Sequence, residues 1–155
     1  MERKWLVAFD FSEQSEKALA RACEQLTALG GGTLVVAHVH APLSTGFGID
    51  LGATTAFHDV DLTLDSEARA RLGAFIAGVA PRYPAVALSP IVETGHPAEH
   101  LVELARREGV EQLVLGSHGR RGLERFFLGS VAERVLRLAD RPVLVVKSQP
   151  ESLSR

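Results

Sequence analysis

Two kinds of apolar pattern alternate along this chain, and the alternation limits its possible folds more than any other feature. Short β-rich runs occupy residues 4–9 (KWLVAF), 33–39 (TLVVAHV), 86–92 (VALSPIV), 112–115 (QLVL) and 142–147 (PVLVVK). Several are continuously apolar, as strands buried on both faces of a parallel sheet must be. Between them, apolar residues recur at helical spacing: Ala18, Ala22, Leu26 and Leu29; Ala68, Leu72, Phe75, Ile76 and Val79; Ala98, Leu101, Val102 and Ala105; Val131, Val135 and Leu138. A β-α-β-α-β-α-β-α-β string predicts an α/β chain, a parallel sheet with helices on both faces.

Boundary residues support this reading. Ser12 is placed to cap the first helix and Gly30–Gly32 to end it. Pro97 suits the first turn of the third helix, and Gly109 stops it. Ser130 and Glu133 have the S-x-x-E spacing of a capping box at the start of the fourth. Pro90 falls inside the third strand, where a central position would lose a ladder bond, so that strand is expected at an edge. The last run is flat and apolar. As an edge it needs a cover, which suggests a homodimer through residues 142–147. Residues 40–61 have no clean periodicity and read as a long loop.

The chain has 155 residues, of which 46% are hydrophobic and 23% charged. That suits one domain over residues 1–148 with a polar tail at 149–155. A net charge of −2 gives no overall basic field for nucleic acid or anionic lipid. No apolar run approaches the roughly 20 residues of a membrane span. The one cysteine, Cys23, lies on a helix face and reads as a core residue. With no signal-peptide pattern at the start, the expected location is cytoplasmic.

The candidate site is GSHGRRGLERFFLGS, residues 116–130, between the fourth strand and the fourth helix. Ligands of open parallel sheets bind beyond the carboxyl ends of strands where strand order reverses. Asp10, Val39 and Gly116 all fall at strand ends. Gly116 and Gly119 lack a Cβ, so backbone N–H groups can approach an anion closely. Gly129 and Ser130 open a helix, whose free N–H groups and dipole favour phosphate. Arg120, Arg121 and Arg125 lie between the two clusters. His118 is a candidate donor or general base. His96 and His100 have the i, i+4 spacing of metal ligands but no evident third partner. Phe126, Phe127 and Leu128 read as packing anchors. The P-loop and the dinucleotide G-x-G-x-x-G fingerprint are both absent.

The loop fits G-x2-G-x9-G-[ST] through Gly116, Gly119, Gly129 and Ser130. In this it resembles the ATP-binding branch of the universal stress protein family. LVAFDFSEQSEKAL, VVAHVHAP, TGHPAEHLVELARREGVEQLVLGSHG and LGSVAERVLRLADRPVLVVK resemble further family segments, in order, from residue 3 to 147. The resemblance implies a three-layer α/β/α sandwich, Rossmann-like and related to the adenine nucleotide alpha hydrolases. Its five-stranded parallel sheet would have the order 3-2-1-4-5.

By the same resemblance, Asp10 would lie at the nucleoside and the Val39 backbone at the adenine. Phosphates would meet the amides of residues 116–119, which span Gly116, Ser117, His118 and Gly119, with Arg120 beside them. Gly129, Ser130 and Val131 would supply the second amide cluster. The implied cofactor is ATP with Mg, in a homodimeric, nucleotide-dependent stress-response module rather than a dedicated enzyme. Two alternatives stay open: a slow ATP hydrolase using the same site, and an interaction module whose segment 40–61 is ordered by a partner.

Overall fold

The chain is described by a computed structural model covering residues 2–42, 54–118 and 128–147. Its elements run β1 (Lys4–Ala8), α1 (Glu13–Ala28), β2 (Gly32–His40), α2 (Thr54–Val79), a 3-10 turn (Ala80–Arg82), β3 (Val86–Thr94), α3 (Pro97–Arg107), β4 (Gln112–Gly116), α4 (Ser130–Leu138) and β5 (Val143–Val146). The five strands form one sheet of order β3-β2-β1-β4-β5. Every pairing is parallel, with Leu6 opposite both Val35 and Leu113.

Continuous apolarity follows from a sheet covered on both sides. Alternate residues of one strand serve opposite cores. Trp5, Val7 and Phe9 join Leu34, Val36 and Val114 under α1 and α2. Leu6, Val35, Ala37, Leu113 and Leu115 pack under α3 and α4. β3 is an edge strand, with Pro90 opposite Val36. Its one ladder partner is β2, so a missing N–H can face outward. Among the described residues, no helix is long and apolar enough to cross a membrane.

The helix ends show why the chain turns where it does. Ser12 has extended dihedrals, and its Oγ accepts from the Ser15 N–H at 3.2 Å, capping α1. At the other end, Gly30 N donates to Thr27 O at 3.1 Å and Gly31 N to Leu26 O at 2.7 Å, a Schellman closure. Gly109, with φ of +62°, closes α3 in the same way through Gly109 N to Arg106 O and Val110 N to Ala105 O.

Four sequence expectations need correction. The segment 40–61 is not loop throughout, because α2 begins at Thr54. Leu29 does not continue the buried stripe of α1; it is the C-cap and is exposed. The inward face of α4 is Ala132 and Val135, flanked by Leu128 and Ala139, whereas Val131 and Leu138 are exposed. Spacing of 131, 135 and 138 also fits a helical period, so periodicity alone chose the wrong stripe. The fourth is the capping box. Gly129 is the N-cap of α4 and Ser130 its first helical residue, while Glu133 pairs with Arg137 at 2.7 Å.

Gly30 and Gly31 both lie in the left-handed region, at φ +98° and +99°. A Cβ at Gly30 meets open space, but one at Gly31 comes within 2.4 Å of Ala85 O. Gly30→Ala is expected to cost about 1–2 kcal/mol from backbone conformation alone. Gly31→Ala should cost distinctly more in urea denaturation. Equal losses would show that the Ala85 segment moves aside freely.

Candidate functional site

The sheet order reverses between β1 and β4, and a cleft of about 380 Å³ opens at the carboxyl ends of these strands. That volume lies in the roughly 300–1,000 Å³ range of small-molecule sites. Its lining includes the apolar residues Ala37, Val39, Leu101, Leu115 and Ala132. It also includes Asp10, Ser15, Gly116, Ser117, His118, Gly129 and Ser130.

Asp10 follows β1 in a tight turn. Its Oδ1 accepts from Ser12 N at 3.0 Å and also from the Ser12 hydroxyl. Its own N–H reaches Ser15 Oγ at 3.3 Å, and the Ser15 hydroxyl donates to Ser12 O at 2.9 Å. Between Asp10 and Ser12, Phe11 has φ of +63°, the one non-glycine residue in the left-handed region among those described. Such a conformation costs about 1–3 kcal/mol and persists where the surroundings over-determine it. Here the Phe9 and His38 rings stand 5.2 and 4.9 Å away, and the Arg71 guanidinium lies 4.1 Å over the ring.

Val39 packs with the α3–α4 side of β2 and lines the cleft. On the opposite face, His38 Nδ1 donates to Phe9 O at 2.8 Å. His40 Nε2 meets Asp65 Oδ1 at 2.5 Å, and the Thr94 hydroxyl donates to that same oxygen at 3.1 Å. These contacts join the end of β2 to α2 and β3.

At the end of β4, Ser117 is 4% exposed. Its N–H donates to Val146 O at 3.0 Å, its carbonyl accepts from Gly129 N at 2.7 Å, and its Oγ lies 2.9 Å from His118 Nδ1. Gly116 lines the cleft, but the place of its missing Cβ is filled by another element. A Cβ there would stand 3.1 Å from Gln14 O, so its smallness serves the approach of α1. Gly129 begins α4 without a side-chain cap. Its carbonyl accepts from Glu133 N at 2.9 Å. Ser130, Val131 and Ala132 line the cleft, and as first-turn residues their amides have no acceptor within the helix, at the positive end of its dipole. Gly119 and Arg120 lie outside the described residues, as do Gly122, Arg121, Arg125, Phe126 and Phe127.

The α3 wall contributes Pro97 and Leu101, and Ser15 comes from α1. Sequence reasoning had treated the first two only as a helix start and a core stripe, and had not singled out Ser15. A helix start directly after a strand end was the available signal, because it places Pro97 at the same sheet edge as Gly116. Glu93 at the end of β3 holds α3 in place by bonding His100 and Arg107. Burial raises the Glu93 carboxyl, but the bonds from Arg107 and His100 outweigh it and leave it below the usual range. His100 is thereby engaged with Glu93. Among the described residues no group of three possible ligands could hold a metal. Cys23 is buried, and burial pushes its thiol up to about 12, which removes it as a nucleophile at neutral pH.

The sequence model of the universal stress protein family matches residues 1–147. The chain belongs to the universal stress protein family. A universal stress protein of Mycolicibacterium smegmatis is 34% identical over 142 residues, which is 92% of this chain and 45% of that protein. The chain thus spans less than half the length of that curated relative. The solved structure of MJ0577 from Methanocaldococcus jannaschii superposes with a TM-score of 0.82 at 28% identity, covering 97% of this chain and 99% of that one. A universal stress protein solved in complex with cAMP is 26% identical, with a TM-score of 0.61 over 95% of this chain and 98% of its own.

Within this universal stress protein, Ser12 both caps α1 and binds Asp10. Ser12→Ala is expected to lower stability by about 1 kcal/mol, read from the thermal or urea midpoint. An unchanged midpoint would show that water replaces the cap at no cost.

Proposed function

We propose that this universal stress protein binds ATP in the β1–β4 cleft and acts as a homodimeric, nucleotide-dependent module. Residues 1–148 would form the working unit. The observation that carries the reading is the juxtaposition of an apolar slot at Val39 and Leu115 with the uncapped first turn of α4 across one cleft. A flat base suits the slot, and phosphates suit the helix start. The cAMP complex of a relative supports nucleotide chemistry at this fold.

The residues present fit such a ligand. Among the described residues, Asp10 is the one carboxylate lining the cleft. It stands where a nucleoside hydroxyl or a phosphate-bound Mg ion could use it. An Mg ion would be held chiefly by the phosphates and water. Gly116, Ser117, His118, Gly129, Ser130 and Val131 would frame the phosphates, with Gly119 and Arg120 completing the loop. Isothermal titration with Mg-ATP at about 100 µM protein should give saturable heat. A folded sample with no heat overturns the reading.

The homodimer would form along β5. Leu113 N and Ser117 N donate to Pro142 O and Val146 O, so these carbonyls face β4. By alternation, Val143 and Val145 turn their backbone groups to the open edge. β5 is half-buried throughout, and Leu136 and Leu138 of α4 are exposed. Val145→Pro should convert a dimer into a folded monomer in analytical ultracentrifugation. A persisting dimer would place the contact elsewhere.

A further inference from the structure

We infer that the groove between the starts of α3 and α4 is a second binding subsite, which takes an aromatic group carried on the far end of the nucleotide's phosphate chain. A dinucleoside polyphosphate is the ligand class that fills cleft and groove together. The inference rests on the cleft binding ATP and extends that ligand beyond its phosphates.

A groove of about 520 Å³ adjoins the cleft and shares Pro97, Ser130 and Val131 with it. Its volume also lies in the roughly 300–1,000 Å³ range of small-molecule sites. Phe9, Ala37 and Leu115, which line the cleft at the strands, are buried in the core. Among the described residues, the three shared ones are where the cleft continues into a second cavity. Ser130 and Val131 also frame the proposed phosphates. A group attached beyond those phosphates is therefore led into the groove.

Beyond the shared residues, the groove is lined by His96, Ala98, Glu99 and Arg134. Arg134 bonds Glu99 Oε1 through both Nε and Nη2, which joins α4 to α3 and holds the guanidinium plane in place. His96 is the N-cap residue of α3, but its side chain makes no capping bond and stands exposed. Val131 adds exposed apolar surface. A fixed guanidinium plane, an imidazole ring and an apolar patch suit the stacking of a flat, electron-rich ring. A bare phosphate gains less there, because Arg134 is already paired with Glu99. Stacking of this kind tolerates any base, since every base has a π-face. The identity of the second nucleoside should therefore matter little.

Isothermal titration in the presence of Mg tests this with ATP, adenosine 5′-tetraphosphate and diadenosine tetraphosphate. The proteins compared are wild type and the double variant His96→Ala/Arg134→Ala. The Arg134–Glu99 pair is exposed, so its loss should leave the fold intact. Wild type should bind the dinucleotide about 10-fold tighter than the tetraphosphate, within the range for stacking one base and above the roughly twofold statistical gain of a symmetric ligand. The double variant should reduce that ratio to about twofold while its ATP affinity changes by less than about twofold. In proton NMR of wild type, the His96 ring signals should move upfield with the dinucleotide but not with the tetraphosphate. Equal or weaker dinucleotide binding, unmoved His96 signals, or a gain that survives in the double variant each overturns the subsite. ATP bound without a dinucleotide gain removes this inference alone. A wild type that binds none of the three compounds removes the ATP reading as well.

Discussion

The backbone of Ser117 holds together the parts on which the cleft depends. Its N–H extends the β4–β5 ladder to Val146, and its carbonyl receives the N–H of Gly129, the residue that starts α4. Two bonds from one buried residue therefore fix the end of β4, the end of β5 and the origin of α4. A helix start aimed into a cleft is useful only when its origin is fixed relative to the opposite wall, and Ser117 supplies that reference.

The opposite wall depends on the sheet order. Because β1 neighbours both β2 and β4, the turn after β1 has crossovers leaving it on either side. Helices α1 and α2 cover one face, α3 and α4 the other. A cleft opens where these paths part. Residues one apart on β2 then have different tasks. Val39 faces the cleft, while His38 and His40 bind Phe9 O and Asp65 behind it. The apolar slot is thus backed by a polar clamp that fixes the strand end.

The edge position of Pro90 and the caps at Ser12, Gly30 and Gly109 were legible because each is a local signal with a backbone cause, whereas the strand order came from the family resemblance. The start of α2 was not. Val60, Leu62 and Leu64 are exposed, so the stretch over residues 60–64 lacks the one-sided apolar face that marks a packed helix. The stripe of α4 differs from its periodicity because Val131 and Leu138 keep a helical period with Val135 while standing exposed outside the core. Ser130 was misassigned as the cap because Gly129 takes that position by bonding Ser117, a partner distant in sequence. Of the candidate site, Asp10, Val39, Gly116, Ser117, His118, Gly129, Ser130 and Val131 converge on one cleft. Ser15 and Leu101 join them only through tertiary packing, which no local pattern encodes.

Phe11 shows how a helix outside the cleft can shape it. A left-handed residue between Asp10 and the cap of α1 sharpens the turn, so that one carboxylate oxygen receives two bonds from Ser12. Glycine would adopt that conformation without strain. A phenylalanine adds a ring that can be gripped, and the grip comes from Phe9, His38 and Arg71. Arg71 belongs to α2, which is joined again to the sheet through Asp65 and through Arg69 to Val92 O. The grip on Phe11 is thus shared between α2, through Arg71, and the strand ends, through Phe9 and His38. The orientation of Asp10 depends on the packing of α2 even though the described cleft-lining residues include none from that helix.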